Sequence, residues 1–402
     1  MTSEATITQS QPPVKRKPKG GKSRFRKVVD WLHRWLGLVS GIVVLILGLT
    51  GCLFVFQDEI SNITDKQLRF VDVPAQAHTL PISTLLPVAQ AALGKDQPIN
   101  YITTYARAGR TWEFMAYAEN DSAITYGGSI RYYRTAYVNP YTGALTGVAN
   151  NKWNFFIVVK AIHWSLLLNT PYGQPITGWC TVIFVLLLIT GLIMWWPKKW
   201  NRKTRNDSFS VRWKARFKRV NYDLHNVLGF YSLLVALVLA LTGMVFAFTW
   251  FQAFAYVAAS GTTTPPAQAP ALKSQVVAVA PAKQGIDIAF EKAHQLMPHA
   301  DRFGLSPAVG KEGLVYVNGY RGRETYYNYD AFSFDQHSGK LLYRNDYKQR
   351  NAGEKLVAMN YDIHVGAIAG LPGKIIAFLA SLVSTSLPVT GFIIWWGRRR
   401  KR

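Results

Sequence analysis

The sequence predicts a membrane α-helical protein: four transmembrane helices in a duplicated two-helix unit, plus two small α+β domains on the outer side of the membrane. Three observations carry this expectation. About half of the residues are hydrophobic, and they clump into runs at 36–56, 176–196, 227–250 and 374–396, each exceeding the roughly 18 apolar residues that a spanning helix needs. The first and third runs open on matched stretches, "DWLHRWLGL" and "YDLHNVLGF". The formal charge of +24 is gathered beside the runs rather than spread along the chain.

The charge gives the sidedness. Residues 1–35, the 197–221 loop and the tail "RRRKR" hold 24 of the 46 basic residues and only three acids, Glu4, Asp30 and Asp207. The remaining 22 basic and 19 acidic residues nearly balance. Basic residues bunched at span ends mark the cytoplasmic side. Both termini and the loop are therefore expected in the cytoplasm, with 57–175 and 251–373 outside. Topology accounts for the charge, and no nucleic-acid partner is expected; the partner of the apolar runs is membrane lipid.

Taken in order, 1–30 is a basic cytoplasmic tail and 31–57 the first span. "LTGC" at 49–52 looks like a lipoprotein cleavage site, but Cys52 is followed by "LFVF", so the span is expected to be an uncleaved signal-anchor. Residues 58–150 form an outer domain. Within it "ISTLLPVAQAALG" (82–94) has helical periodicity, and "NYITTYARA", "TWEFMAYAE" and "RYYRTAYVN" alternate as strands before the turn "NPYTG". An interfacial segment, 151–175, leads to the second span at 176–197, and a basic loop, 198–221, to the third at 222–250. Residues 251–355 hold an irregular linker, "GTTTPPAQAPALKSQ", and a second domain of helix (285–297) then strands. Residues 356–373 are again interfacial, 374–396 is the fourth span and 397–402 a basic tail. The Trp-Trp pairs at 195–196 and 395–396 are expected as interfacial anchors.

The duplication is read from constant offsets. His33 and His225, Gly37 and Gly229, Thr50-Gly51 and Thr242-Gly243, and Phe54 and Phe246 all lie 192 apart. His163 and His364 lie 201 apart, while Thr190-Gly191 and Thr390-Gly391 lie 200 apart. A parallel repeat of this kind implies a pseudo-two-fold axis along the membrane normal.

Four of the eight histidines occupy these repeat positions, and histidine at a span is costly enough to point to function. His33 and His225 begin outward-running spans and fall at the cytoplasmic edge; His163 and His364 precede the returning spans and fall at the outer edge. Opposed across the axis at equal depth, each pair suits the two axial positions of one haem iron. The expectation is two b-type haems with bis-histidine ligation, and an apolar four-helix interior to house them. Gly37 and Gly229, one turn beyond, would admit backbone or porphyrin. Two histidines are only half a zinc site. Asp30, Asp223 and Asp362, just before three of the histidines, read as helix N-caps. His78, His294, His299 and His337 read as surface residues. Both cysteines, Cys52 and Cys180, sit in apolar runs, and no C-x-x-C-H exists to attach haem covalently.

With LH-x-x-LG at the first span, histidine before the second and TG-x-x-x-WW at its end, residues 25–400 resemble the PepSY-associated transmembrane family. The resemblance implies that the outer domains are periplasmic PepSY-like modules. It also implies a bacterial inner membrane and the activity of dihaem ferric-siderophore reductases, with His33 and His225 on one haem and His163 and His364 on the other. The partners implied are a ferric siderophore and a separate electron donor, quinol or a cytoplasmic flavoprotein, since no G-x-G-x-x-G is present. As an enzyme the chain would be an oxidoreductase whose chemistry resides in the cofactor; no catalytic or substrate-contacting side chain is assigned. The alternatives are a haem-free PepSY regulatory or structural protein that binds envelope peptides, and a permease for iron or its chelate.

Overall fold

A computed structural model of the chain describes residues 23–399 except 268, 276–282 and 324; the basic stretches 1–22 and 400–402 lie outside the described residues. Helix α1 (Arg24–Phe54) starts at Ser23, whose hydroxyl accepts from the Arg26 N–H, and its 31 residues are long and apolar enough to cross a membrane. Two short helices follow, α2 (Gln57–Thr64) and α3 (Lys66–Arg69), then α4 (Ile82–Leu93). Strands β1 (Tyr101–Tyr105) and β2 (Trp112–Glu119), the turn-like α5 (Tyr126–Ser129), and strands β3 (Ile130–Val138) and β4 (Leu145–Asn150) complete the first extramembrane segment. Helix α6 (Phe155–Ser165), capped by Asn154, ends at Leu166 and Leu167 in left-handed backbone conformations, and the chain turns into α7 (Thr170–Trp195).

The second half repeats the order. After α8 (Arg202–Phe209) come α9 (Phe217–Ala247), α10 (Thr249–Ser260) and α11 (Gly285–Leu296). Strands β5 (Arg302–Ser306), β6 (Leu314–Tyr320), β7 (Tyr329–Asp335) and β8 (Leu341–Asn345) lead to α12 (Ala352–His364) and α13 (Gly370–Arg399). Helices α7, α9 and α13 join α1 as the candidates to cross a membrane among the described residues. Each of α1 and α9 packs against both α7 and α13, which puts α1 diagonally across from α9. Where α1 meets α13 the backbones nearly touch. A Cβ at Gly48 would lie 3.1 Å from the Thr385 N and 3.2 Å from the Ser381 carbonyl oxygen, the small-residue contact by which helices associate in lipid.

The two extramembrane segments, expected as separate modules of about three strands, contribute four strands each to one antiparallel sheet of order β4-β3-β2-β1-β5-β6-β7-β8. The halves join at β1–β5, where Thr103 faces Gly304. The sheet's two ends escape sequence reading because β4 and β8 are short and half-exposed along both faces, so they lack the period-two alternation that marks a half-buried strand. One sheet face, including Ile102, Phe114, Val138, Leu305, Val317 and Phe334, is sealed under α4 and α11. The other carries tyrosines toward the bundle: Tyr117 and Tyr133 pack against a cluster that includes Ala161 of α6. Tyr326, in the β6–β7 loop, lies with its ring 5.1 Å from that of Tyr361 in α12. The ends of the chain's short helices are thus held between sheet and bundle.

Leu305 is fully buried at the junction of the halves. Leu305→Ala is expected to cost about 2–5 kcal/mol through lost contacts and the cavity left behind, and to lower one unfolding transition of the whole sheet. Two separate transitions, followed by fluorescence in chemical denaturant, would mean that the halves fold apart.

Candidate functional site

The fold brings the four repeated histidines together two by two. His33 in α1 faces His225 in α9, with ring centroids 6.4 Å apart and planes at 89°. His163 in the last turn of α6 faces His364 at the end of α12, at 6.0 Å and 66°. The first pair lies at the bundle end remote from the sheet and the second at the sheet end. His33 and Thr50, the residue of α1 that contacts His163, are 17 residues apart, about 25 Å of helical rise.

Each imidazole is held by a Thr-Gly dipeptide of a neighbouring helix. The Nδ1 of His33 lies 2.9 Å from Thr190 Oγ1, that of His163 3.0 Å from Thr50, that of His225 2.9 Å from Thr390 and that of His364 2.9 Å from Thr242. A hydroxyl has one hydrogen to give. In all four threonines it goes to a carbonyl one turn back, to Leu186, Ile46, Ser386 and Val238 at 2.7–2.9 Å. The threonine oxygen must therefore accept, the histidine Nδ1 must carry the hydrogen, and Nε2 keeps a bare lone pair; the tautomer follows from the network. A second acceptor, the Leu47 carbonyl, lies 3.0 Å from His163 Nδ1. The glycine after each threonine lies against the same ring. A Cβ would stand 3.3 Å from His33 Cε1 at Gly191 and 3.2 Å from His225 Cε1 at Gly391, so a side chain there would crowd the ring.

The spacing sets what can lie between the rings. Two imidazole–metal bonds of about 2 Å, plus about 1.2 Å from each nitrogen to its ring centre, place the centroids of two ligands of one ion about 6.3 Å apart. Both pairs fall close to that value. Among the described residues no group of three or more His, Cys, Asp or Glu side chains could hold a metal, so each pair supplies two donors and no more. The surroundings are apolar or aromatic: Phe246 meets the His364 ring edge-on at 5.7 Å.

Other residues fall differently. Gly37 and Gly229 face Leu187 and Leu387 at ordinary contact distance, and no backbone crosses there. Asp30, Asp223 and Asp362 are not N-caps, because their helices begin earlier, after Ser23, Arg216 and Asn351. Asp30 bridges to Arg34 at 2.6 Å. Asp223 accepts from the Arg212 N–H at 3.2 Å and the Arg219 Nε at 3.0 Å, and Asp362 accepts from the Tyr326 N–H. Trp195 stacks on Phe230 at 3.8 Å instead of pointing outward, while Trp196 is half-exposed. His78, His294 and His299 are exposed, and His337 bonds to the Lys311 carbonyl. The threonines are the functional residues that sequence reasoning missed. Their signal, a TG repeated in all four spans, was legible as a helix feature but not as the partner of the histidines.

Four apolar helices of spanning length, one imidazole pair carried by α1 and α9, a second at another depth carried by α6 and α12, and a sheet beyond one end define a multi-pass membrane protein with a paired-histidine site. The chain belongs to the PepSY-associated TM region family, whose model matches residues 31–398. No curated protein matches it.

Outer-shell partners of metal-bound histidines are typically worth 10–100-fold in affinity. Thr390→Val is expected to weaken, by about that factor, the binding of a metal group between His33 and His225, and to leave the His163–His364 pair unchanged. Titration of metal-free protein measures both; equal affinity at both pairs would contradict the role given to the threonine.

Proposed function

We propose that the chain is an inner-membrane electron carrier that holds two b-type haems, one between His33 and His225 and one between His163 and His364, and reduces iron(III) chelates on the sheet side. The observation that carries this is the approach of two imidazoles at each of two depths, with ring centroids 6.4 and 6.0 Å apart and every Nδ1 held by a threonine. When bound, the haems would supply one-electron chemistry; the donor set fits them because each pair offers two imidazoles and, among the described residues, no cluster of further His, Cys, Asp or Glu ligands. The residues do the rest. Thr50, Thr190, Thr242 and Thr390 orient the imidazoles and keep them in the tautomer that presents Nε2, and the apolar helices exclude water.

Sidedness in this reading follows the basic residues. Lys198, Lys199, Arg202, Lys203 and Arg205 are exposed at the end remote from the sheet, and Asp30 and Asp207 there are paired with arginines. That end is the cytoplasmic one, the sheet is periplasmic, and its two four-stranded halves are the PepSY-like domains of a duplicated unit. The offset of 201 between Thr103 and Gly304, which face one another where the halves meet, equals that between His163 and His364, which supports one duplication running through sheet and bundle. The donor, quinol or a flavoprotein, acts at His33 and His225, and a ferric siderophore accepts one electron per iron at the other pair.

Dithionite-reduced protein is expected to be reoxidised by a ferric siderophore, with one iron(II) appearing per electron lost. His364→Ala should abolish this delivery, whereas His225→Ala should spare it and block reduction from the cytoplasmic side. Reduced protein that ignores every ferric chelate would remove the substrate from this reading.

For topology, cysteines replacing exposed Ser122 and Lys311 should react with an impermeant maleimide from the periplasm, and one replacing exposed Asn206 should not. The opposite pattern would invert the electron path.

A further inference from the structure

The two histidines of each pair are not held alike, and the difference follows a five-residue motif. His225 closes "NYDLH" (221–225) and His364 closes "NYDIH" (360–364), while His33 closes "VDWLH" and His163 closes "VKAIH". Asn221 and Asn360, one turn before their histidines, are 4% and 5% exposed. Their amides donate to the backbone carbonyls of Thr390 at 3.0 Å and Thr242 at 3.1 Å, the very threonines whose hydroxyls accept from His225 and His364. Asp223 and Asp362, both 0% exposed, add a tie each to a neighbouring segment, through the backbone N–H groups of Arg212 and Tyr326. In the other half the asparagine positions are the buried valines Val29 and Val159. Trp31 and Ala161 stand where Asp223 and Asp362 would.

We infer that each pair combines a fixed ligand, His225 or His364, with a yielding one, His33 or His163, so that one side of each centre opens to a small exogenous ligand such as carbon monoxide. The inference rests on the haem reading given above. The asparagine fixes the spacing between the histidine's helix and the Thr-Gly helix, and the aspartate fixes the histidine's turn against a third segment. An imidazole whose backbone is tied at both points keeps its Nε2 aimed when the opposing contact is lost. His33 and His163 lack the asparagine tie, so their imidazoles turn away more readily about their side-chain torsions. Sequence and geometry agree on the assignment: the same motif marks one member, and one only, of both pairs.

The test uses the full-length protein in lipid nanodiscs, with haem per chain, spin state and the carbon monoxide difference spectrum of the reduced protein as readouts. His33→Gly and His163→Gly are expected to keep both haems, one of them now five-coordinate and reactive with carbon monoxide. His225→Gly and His364→Gly are expected to lose the haem of their pair. With all four histidines intact, Asn221→Val and Asn360→Val should release that haem about fivefold faster, the value of one hydrogen bond. Val29→Asn and Val159→Asn should lower reactivity with carbon monoxide by a similar factor, and these four variants decide the matter if a glycine variant fails to fold. A two-haem protein in which His163→Gly and His364→Gly retain haem equally, or in the reverse order, overturns the inference alone. A wild-type chain without haem overturns the haem reading and the inference with it.

Discussion

The hydrogen bond from a histidine Nδ1 to a threonine hydroxyl occurs four times, and it joins α1 to α7, α6 to α1, α9 to α13 and α12 to α9. Each bond is modest in net free energy, about 1 kcal/mol. Its effect is directional. Because the threonine's own hydrogen is committed to its helix, the bond has one polarity, and that polarity leaves every Nε2 bare. Remove the Thr-Gly dipeptides and the same bundle could pack, but the imidazoles would lose the threonine contact that all four share. The glycines belong to the same constraint, since they let the ring edges approach the helix that holds them.

Around that constraint the two halves differ in ways that a strict repeat would not. The second half ties its histidines with asparagine and aspartate, and the first leaves valines. The contact of α1 with α13, through Gly48, Ser381 and Thr385, is closer than side chains of ordinary size permit. At the sheet end, Lys374 is 3% exposed and pairs with Glu59 at 2.7 Å, joining α13 to α2. Helix α2 is thus tied to the bundle through Glu59 and to the sheet segment through Asn62, which accepts from Arg110 Nη1 at 2.9 Å. The sheet in turn reaches α12 through Tyr326 and Asp362, two residues before His364, and α6 through the cluster that Tyr117 and Tyr133 join. Sheet and sheet-side histidines therefore form one mechanical unit.

Much of this was legible in the sequence. Hydrophobic runs of spanning length are set by the bilayer and can be counted. The histidines were found because a polar residue at a fixed place in two otherwise apolar repeats has few bland explanations. The pairing of His33 with His225 and of His163 with His364 followed from depth alone, and the geometry brings together those pairs and no others. The joining of the two outer segments was not legible, because the β1–β5 register links residues about two hundred apart and leaves no local pattern. Asp223 and Asp362 were misread as caps because the polar first turns of α9 and α12 carry no apolar periodicity to announce a helix. The NYD motif was visible as letters. Its meaning depends on which threonine carbonyl lies across the helix interface, and no spacing within the chain reveals that.

The central claim is that the facing imidazoles are axial ligand pairs. Its most direct test is a dithionite-minus-oxidised difference spectrum of the purified full-length protein, with haem counted per chain after extraction into pyridine. Two low-spin b-type haems per chain are predicted, one for each pair. A folded protein with no absorbance of this kind, even after haem is supplied during expression, would contradict the claim and leave the histidine pairs without their ligand.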